Sequence, residues 1–524
     1  MSQSVALILH KAQRHAKKGE TDLAVQQYKR ILQKYPQNKR AIAGLKALQR
    51  PERIKKAANP QVSQEQFNGL ITLYNQGKLK QALDAGEALE KQFPSTPYIP
   101  NLLGAVNAGL GRLEQAVANF EKALAIKSDY AEAYNNMGSA LKDKGESDAA
   151  IESYKKALKI KPDYAEAYNN MGNALLNKGE PDPAIESYKM ALKIKPDYAG
   201  AYNNMGNALK DKGEPDPAIE SFKKALKIKP DYAEAYNNMG NALLDKGDPE
   251  AAIESYKMAI KIKPDHADAY NNMGAALKDK EESGAAIESY KKALEIKPDY
   301  AGPKHLIAAL TGSTTDSAPR AYVESLFDDY ACKFDNSLVG KLDYKIPKTL
   351  AQIILANTTG HSLGSILDLG CGTGLAGVEL KGSSQNLEGI DLSSSMLEEA
   401  RKKNAYDRLI HTDLIEYLST ADLDFDYFVS TDVFIYVGEL SDVFRLIKSR
   451  NKCAGKLAFS TEHTEKEGFF LETSGRYSHS KRYIEKLCEK FEYRILHFST
   501  TNLRKEKNGY LTGGLYLLDF APKL

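Results

Sequence analysis

The 524-residue chain has no tryptophan and only four cysteines. Cys332, Cys371, Cys453 and Cys488 lie far apart without any C-x-x-C spacing, which argues against a disulfide framework and a structural zinc site. A reducing, cytoplasmic setting is expected. Long apolar runs are missing as well. The N-terminal run Val5 to Leu9 is too short for a signal-peptide core, and no later run reaches the length of a membrane span, so no membrane insertion is expected. Charge of one sign is also lacking: 72 Lys+Arg against 69 Asp+Glu leave a net +3, no footprint for nucleic acid. The few histidines show no metal spacing, His10 and His15 being the closest. At this length more than one domain is expected.

What the chain has in excess is tyrosine, 30 residues, and self-comparison explains it. From Ala131 to Tyr300 one 34-residue unit is copied five times, starting at Ala131, Ala165, Ala199, Ala233 and Ala267, and the copies hold 13 of the tyrosines. The unit AEAYNNMGNALLNKGEPDPAIESYKMALKIKPDY reads as helix, Lys-Gly turn, helix, with Pro196 stopping the second helix, predicted over Pro183 to Ile194. Gly172 and Ala184 are small because two helices cross there, while Tyr168, Leu175, Ile185, Tyr188 and Leu192 supply apolar contacts. One hairpin cannot bury these, so neighbours must stack.

This pattern resembles the tetratricopeptide repeat. In the same frame, weaker copies fall at 5–38, 63–96 and 97–130, the first keeping Ala12, Gly19, Ala24, Tyr28 and Pro36. A single helix, Lys39 to Arg50, and a loop with Pro51 and Pro60 separate the first two, and a closing helix, Ala301 to Leu310, would cap the last face. The resemblance implies an all-α superhelix over residues 1–310 with first helices lining a concave groove. Each strong copy sets an Asn pair there, and the second members, Asn136, Asn170, Asn204, Asn238 and Asn272, resemble the asparagine ladder of intracellular O-linked N-acetylglucosamine transferases. An amide offers donors and an acceptor, so such a column can hold an extended protein or peptide partner; alternatively these residues only satisfy backbone groups between repeats.

Composition changes after Thr311 at TGSTTDSAP, read as a polar linker over 311–319. Residues 320–524 then alternate strand and helix patterns: SILDL, NLEGIDL, RLIHTDL, FDYFVSTDV, KLAFST, YRILHFST and YLTGGLYLLDF are the strands. Such alternation predicts an α/β, doubly wound, Rossmann-like domain, its last two strands an antiparallel edge. After the first strand comes Asp368-Leu369-Gly370-Cys371-Gly372-Thr373-Gly374, G-x-G-x-G rather than the dinucleotide G-x-G-x-x-G. Asp391 ends the second strand, where a carboxylate can accept both hydroxyls of a ribose, and Asp413-Leu414 ends the third. Each acid could instead be a helix N-cap.

ILDLGCGTG, GIDLSSSMLEEA and HTDL together resemble the class I S-adenosylmethionine-dependent methyltransferases, and with the repeats the whole chain resembles a bacterial subgroup that carries both. The resemblance implies S-adenosyl-L-methionine as cofactor, with Asp368, Gly370 and Gly372 near its methionine and ribose, Asp391 and Leu392 at the ribose, Met396 near the adenine, and Asp413 with Leu414 at the adenine edge. It also implies that the aromatic helix from Arg320 to Asp335 closes over the cofactor, through Tyr330 or Phe334, unless the stripe of Tyr322, Phe327, Tyr330 and Phe334 is core.

Methyl transfer needs an aligned acceptor lone pair and, for a protonated acceptor, removal of a proton. Asp432 and Tyr436 at the fourth strand end are the first candidates for this role. His479, in a loop Gly475 to His479 ahead of a helix, is the third. The Asn-Pro-Pro-Tyr/Phe tetrapeptide of amide and adenine enzymes and the Pro-Cys of cytosine C5 enzymes are both absent. The expected acceptor is an N or O atom, with the groove recruiting a protein or peptide partner or substrate. The alternatives are a small-metabolite or glycan acceptor with repeats for assembly only, or a scaffold with little turnover. Nothing in the sequence sets the oligomeric state.

Overall fold

Each repeat copy folds as an antiparallel helix pair because a large ring on one helix fills the space left by a glycine on the other. A Cβ placed on Gly172 would sit 2.5 Å from the Tyr188 ring, and one on Gly206 would sit 2.6 Å from Phe222. Both rings are wholly buried. The copied tyrosine is therefore a core plug, and any side chain opposite it would overpack the crossing.

A computed structural model describes residues 5–18, 20–48, 62–328, 330–358, 360, 362–506 and 509–521. Gly19, Arg50, the Pro51 to Pro60 loop and the Cys332 side chain lie outside this description. The chain divides into two compact units, Met1–Pro162 and Asp163–Leu524. The first holds the pairs α1 (Val5–Lys17) and α2 (Thr21–Lys34), α4 (Gln64–Asn75) and α5 (Leu79–Gln92), α6 (Tyr98–Gly109) and α7 (Leu113–Ile126), and α8 (Ala131–Asp143) and α9 (Ser147–Ile160), with the single helix α3 (Lys39–Leu48) after the first pair. The second unit begins with α10 (Ala165–Asn177) and α11 (Pro181–Ile194), α12 (Ala199–Asp211) and α13 (Pro215–Ile228), α14 (Ala233–Lys246) and α15 (Pro249–Ile262), and α16 (Ala267–Asp279) and α17 (Ser283–Ile296). Helix α11 starts at Pro181, two residues ahead of expectation, with proline in its first turn where a missing N–H costs nothing.

The closing helix α18 (Ala301–Thr311) lays Leu306 against the last pair, and the chain then enters the α/β part of the same unit. Residues 311–319 do not run as a free linker. Asp316 O accepts from Gly438 N at 2.9 Å and Glu439 N at 2.8 Å, Ala318 N donates to Tyr436 O at 3.0 Å, and Ser317 bridges to Val437. The expected single helix from Arg320 to Asp335 is broken into α19 (Arg320–Asp328) and α20 (Ala331–Asp335), followed by a wide turn, Asn336–Lys341, and α21 (Ile346–Ala356).

The sheet contains β1 (Ser365–Leu369), β2 (Asn386–Asp391), β3 (Arg408–His411), β4 (Tyr427–Ser430) and β5 (Gly455–His463), parallel in the order β3-β2-β1-β4-β5. Between them run α22 (Leu375–Leu380), α23 (Ser394–Lys403), α24 (Leu414–Thr420) and α25 (Ser441–Arg450). This is the doubly wound arrangement, which gathers the strands' carboxyl ends on one edge. Two further short strands, β6 (Phe469–Leu471) and β7 (Tyr477–His479), precede α26 (Lys481–Phe491). The last strands, β8 (Arg494–Glu506) and β9 (Gly509–Phe520), pair antiparallel, and β9 pairs antiparallel with β5. The Gly475 to His479 stretch, expected as a loop, carries β7, and the sequence shows no signal for β6. Both strands form because the tip of β5 pairs β7 at Glu462 and His463, a support three-residue strands need and cannot signal. Phe459 stacks on Tyr516 at 4.9 Å inside a core with Phe428, Phe434 and Phe444.

Candidate active site

The glycine loop leaves β1 and turns back on β2: Gly370 N and Cys371 N both donate to Ile390 O at 2.9 Å. Gly370 has φ 72°, and a Cβ there would collide with Val433. Gly372 differs. Its φ is 53°, and a Cβ would meet nothing within 4 Å, so this turn opens onto free space. That space is a cavity of about 270 Å³ at the carboxyl ends of β1, β2 and β4.

Asp391 stands across the loop, Oδ2 accepting from Gly372 N and Oδ1 from Ser393 N, each at 2.8 Å. Burial raises its carboxyl and these bonds oppose the shift. Asp391 is not the N-cap of α23; Ser393 is, accepting from Met396 N at 3.0 Å. Asp413 does cap α24, its Oδ1 accepting from Ile415 N at 2.8 Å and Glu416 N at 3.0 Å. Gly370, Gly372, Asp391, Leu392, Met396, Asp413 and Leu414 all line the cavity. A carboxylate for a sugar diol, an apolar floor at Met396 and an open glycine turn suit a nucleoside-bearing ligand.

Asp368 is not in the lining. It lies wholly buried beneath the loop, Oδ2 accepting from the Tyr406 hydroxyl at 2.6 Å while Oδ1 has no partner among the described residues. Burial pushes its carboxyl up to about 7, against the Tyr406 bond and with the Asp391 charge adding. Tyr330 also misses the cavity, packing with Phe334 at 5.9 Å above Leu338 and Tyr344, whereas Phe334 and Phe327 do line it. Both helices of this cover are latched to the loop region. Asp328 Oδ1 accepts from Ser393 Oγ at 2.6 Å, and Asp335 accepts from Thr373 Oγ1 at 2.5 Å and pairs with Lys403 at 2.7 Å. No sequence motif announces these latches, because Asp335 and Thr373 are 38 residues apart.

Beyond the loop, Asp432 and Tyr436 face the cavity. Asp432 has φ 55°; its N–H donates to Ser460 Oγ at 2.8 Å, and Arg504 Nη1 reaches its Oδ2 at 2.8 Å. Burial raises its carboxyl, with Arg504 the main opposing charge. Burial likewise raises the Tyr436 phenol, whose ring meets Phe327 edge-on at 5.3 Å. His479 lies off the cavity. It sits on β7, wholly buried, its Nε2–H donating to Gly438 O at 2.9 Å, and burial brings the ring down to about 4. A neutral imidazole locked on a carbonyl away from the cavity does not meet an acceptor there.

In the repeats the side chains of the Asn pairs bond to one another. Asn136 Nδ2 donates to Asn101 Oδ1 at 3.2 Å in the first unit; in the second, Asn204 reaches Asn169 at 3.0 Å, Asn238 reaches Asn203 at 3.2 Å and Asn272 reaches Asn237 at 3.1 Å. The oxygens of Asn170, Asn204, Asn238 and Asn272 accept from the preceding Asn of their own pairs. These are half-buried amide ladders that tie successive repeats.

A methyltransferase-domain family model matches residues 366–455. Tetratricopeptide-repeat models match 108–145, 138–179, 206–247 and 240–281, with further matches at 8–38, 165–198 and 267–300. Malonyl-[acyl-carrier protein] O-methyltransferase of Pectobacterium atrosepticum is 31% identical over 117 residues, 22% of this chain and 46% of that protein. The biotin biosynthesis bifunctional protein BioHC of Saccharophagus degradans is 29% identical over 27% of this chain and 25% of its own. The chain therefore spans less than half the length of these curated relatives. Among solved structures, MamA is 34% identical over 32% of this chain and 96% of that one, with a TM-score of 0.29. Among the described residues no helix is long and apolar enough to cross a membrane. The chain is a tetratricopeptide-repeat protein that carries a methyltransferase domain.

Proposed function

We propose that the cavity binds S-adenosyl-L-methionine and that the domain transfers its methyl group to an N or O acceptor entering on the side of Asp432 and Tyr436. The observation that carries the reading is Asp391, a strand-end carboxylate facing an open glycine turn in one cavity with Met396 and Asp413. When bound, the cofactor supplies an electrophilic methyl on a sulfonium. Asp391 holds the ribose hydroxyls, Asp413 and Leu414 border the adenine, and Phe327 and Phe334 exclude water. Asp432 accepts a hydrogen bond or proton from the acceptor, and Tyr436 orients it.

Calorimetry with S-adenosylmethionine tests the assignment. Tight binding by the full chain, weakened tenfold or more in Asp391→Ala, supports it; no binding by the full chain overturns it.

The repeat groove recruits a protein or peptide partner, the acceptor itself or its carrier. The amide ladders favour a second reading, repeats that serve assembly, because the Asn side chains already bond one another. Labelled S-adenosylmethionine added to a lysate with the wild-type chain or with Asn204→Ala/Asn238→Ala separates the two: loss of one labelled protein band supports recruitment, while unchanged labelling of a small molecule supports assembly. Malonyl-[acyl-carrier protein], which the name of the Pectobacterium relative gives, is one acceptor to look for.

A further inference from the structure

The helix that closes the repeat array reaches the cavity through a chain of buried and half-buried hydrogen bonds. His305, on α18 and 3% exposed, donates from Nε2 to Gly475 O at 2.9 Å. The next residue, Arg476, bonds Glu462 Oε1 through Nε at 2.5 Å and Glu506 through Nη2 at 2.6 Å. Glu462, 3% exposed, shares the same oxygen with Arg504 Nη2 at 2.6 Å, and Arg504 Nη1 closes on Asp432 Oδ2 at 2.8 Å. Two guanidiniums thus alternate with three carboxylates between the repeat cap and the cavity wall.

Asp432 needs such support. A residue other than glycine at φ 55° holds that conformation only where its surroundings over-determine it. Ser460 fixes its N–H and Oδ1, and Arg504 fixes Oδ2. The backbone just beyond is pinned from the same side, by the two bonds from Gly438 and Glu439 to Asp316 O and by the Thr315 to Tyr477 hydroxyl contact at 2.5 Å. On this side the 432–439 segment is therefore held by Asp316, just beyond α18, and, through Arg504 and Glu462, by the Arg476 turn that α18 grips, while Ser460 of β5 holds Asp432 from the sheet.

We propose that His305, Arg476 and Arg504 are positioning residues, a relay through which the repeat-capping helix sets the conformation of Asp432 and so shapes the acceptor end of the cavity. The inference rests on the methyl-transfer reading only for what that end of the cavity does. The repeats and the catalytic residues are on this account parts of one machine, and the cap cannot be removed without releasing the acceptor wall.

Hydrogen exchange read by mass spectrometry on the full-length chain tests it, with S-adenosylmethionine calorimetry on the same proteins. His305→Leu keeps the bulk but cannot donate to Gly475 O; His305→Gln keeps a donor. The relay requires that the Leu variant raise exchange over residues 431–439 tenfold or more, that the Gln variant restore it, and that the 368–374 loop stay unchanged. Arg476→Met, at a more exposed position, must do the same as His305→Leu, which keeps the test alive should the helix variant fold poorly. Unchanged exchange at 431–439 in the Arg476→Met variant, or an equal rise throughout β1 to β5, overturns the proposal. Absence of cofactor binding by the wild-type chain would sink the cofactor assignment and leave the exchange result to decide the relay.

Discussion

The Tyr188 hydroxyl donates to Asn173 Oδ1 at 2.7 Å, and the equivalent bond joins Tyr256 to Asn241, also at 2.7 Å. The last copy breaks the rule: Ala275 holds the Asn position, and the buried Tyr290 hydroxyl has no partner among the described residues. Drift between copies has thus left one donor stranded in a core that otherwise satisfies it.

Tyr188→Phe and Tyr256→Phe are expected to lower stability by about 1 kcal/mol each, the net worth of a buried hydrogen bond. Tyr290→Phe should be neutral or stabilising, since it removes an unsatisfied polar group. Ala275→Asn should stabilise by supplying the acceptor. Urea midpoints of the full chain followed by circular dichroism read the three cases, and equal losses for Tyr290→Phe and Tyr188→Phe would refute the pairing rule.

A methyl at Gly172 has no room against Tyr188, 2.5 Å from where its carbon would sit. Gly172→Ala is expected to cost about 1–3 kcal/mol by overpacking. Combining it with Tyr188→Leu should return part of that loss. The double-mutant cycle measures the coupling; additive losses would mean the crossing tolerates the methyl by shifting backbone.

The repeats were legible because five copies expose their own register, so Gly172, Tyr188 and the Asn pairs could be placed before any coordinates. The strand-end acids were legible for a similar reason: local sequence alone places Asp391 at the end of a strand, leaving only its choice between capping the helix and facing the loop to the fold. Long-range bonds escaped. The Asp335 latch on Thr373 and the hold of Asp316 on Gly438 join segments with no shared pattern, and a polar stretch such as TGSTTDSAP reads the same free or pinned. His479 was misplaced for the same reason, since its three-residue strand exists only through pairing with β5 and β6.

Asp368 makes stability depend on pH. Its folded carboxyl, pushed up to about 7 by burial, binds a proton that the unfolded chain releases near pH 4. The native state therefore holds more protons between about pH 4 and 7, and stability falls as pH rises through that window, by up to about 1.4 kcal/mol per pH unit from this group. Asp391, Asp432 and Glu462 shift in the same direction, so the informative quantity is the difference from Asp368→Asn. Urea midpoints at pH 5 and pH 7 should fall less in the variant than in wild type, and parallel slopes would show that Asp368 is already ionised in the fold.

The latches of the cover set how firmly it closes. Asp335 joins Thr373 and Lys403, and Asp335→Ala removes a charge-assisted bond to a hydroxyl and an ion pair to a half-buried lysine. Such bonds contribute about 1.5–3 kcal/mol, so S-adenosylmethionine affinity is expected to fall on the order of tenfold, with faster exchange over α19 and α20. Asp335→Asn, which keeps an acceptor for Thr373, should fall between. Calorimetry on the three proteins checks the order, and equal affinities would mean the cover contributes nothing to binding.

Arg504 is the sharpest test of the cavity's far end, because two carboxylates depend on it. It is 7% exposed and bonds Asp432 and Glu462 at 2.8 and 2.6 Å. Removing one member of a buried charge group leaves the others uncompensated, at about 3–5 kcal/mol. Arg504→Met should therefore destabilise strongly at pH 7 and less at pH 5, since with the guanidinium gone both carboxyls rise further and protonate more readily. Arg504→Met combined with Asp432→Asn and Glu462→Gln removes the unpaired charges and should recover most of the loss. The pH dependence separates this from packing: a missing guanidinium that acted only by filling space would cost the same at both pH values and would not be rescued by the neutral amides.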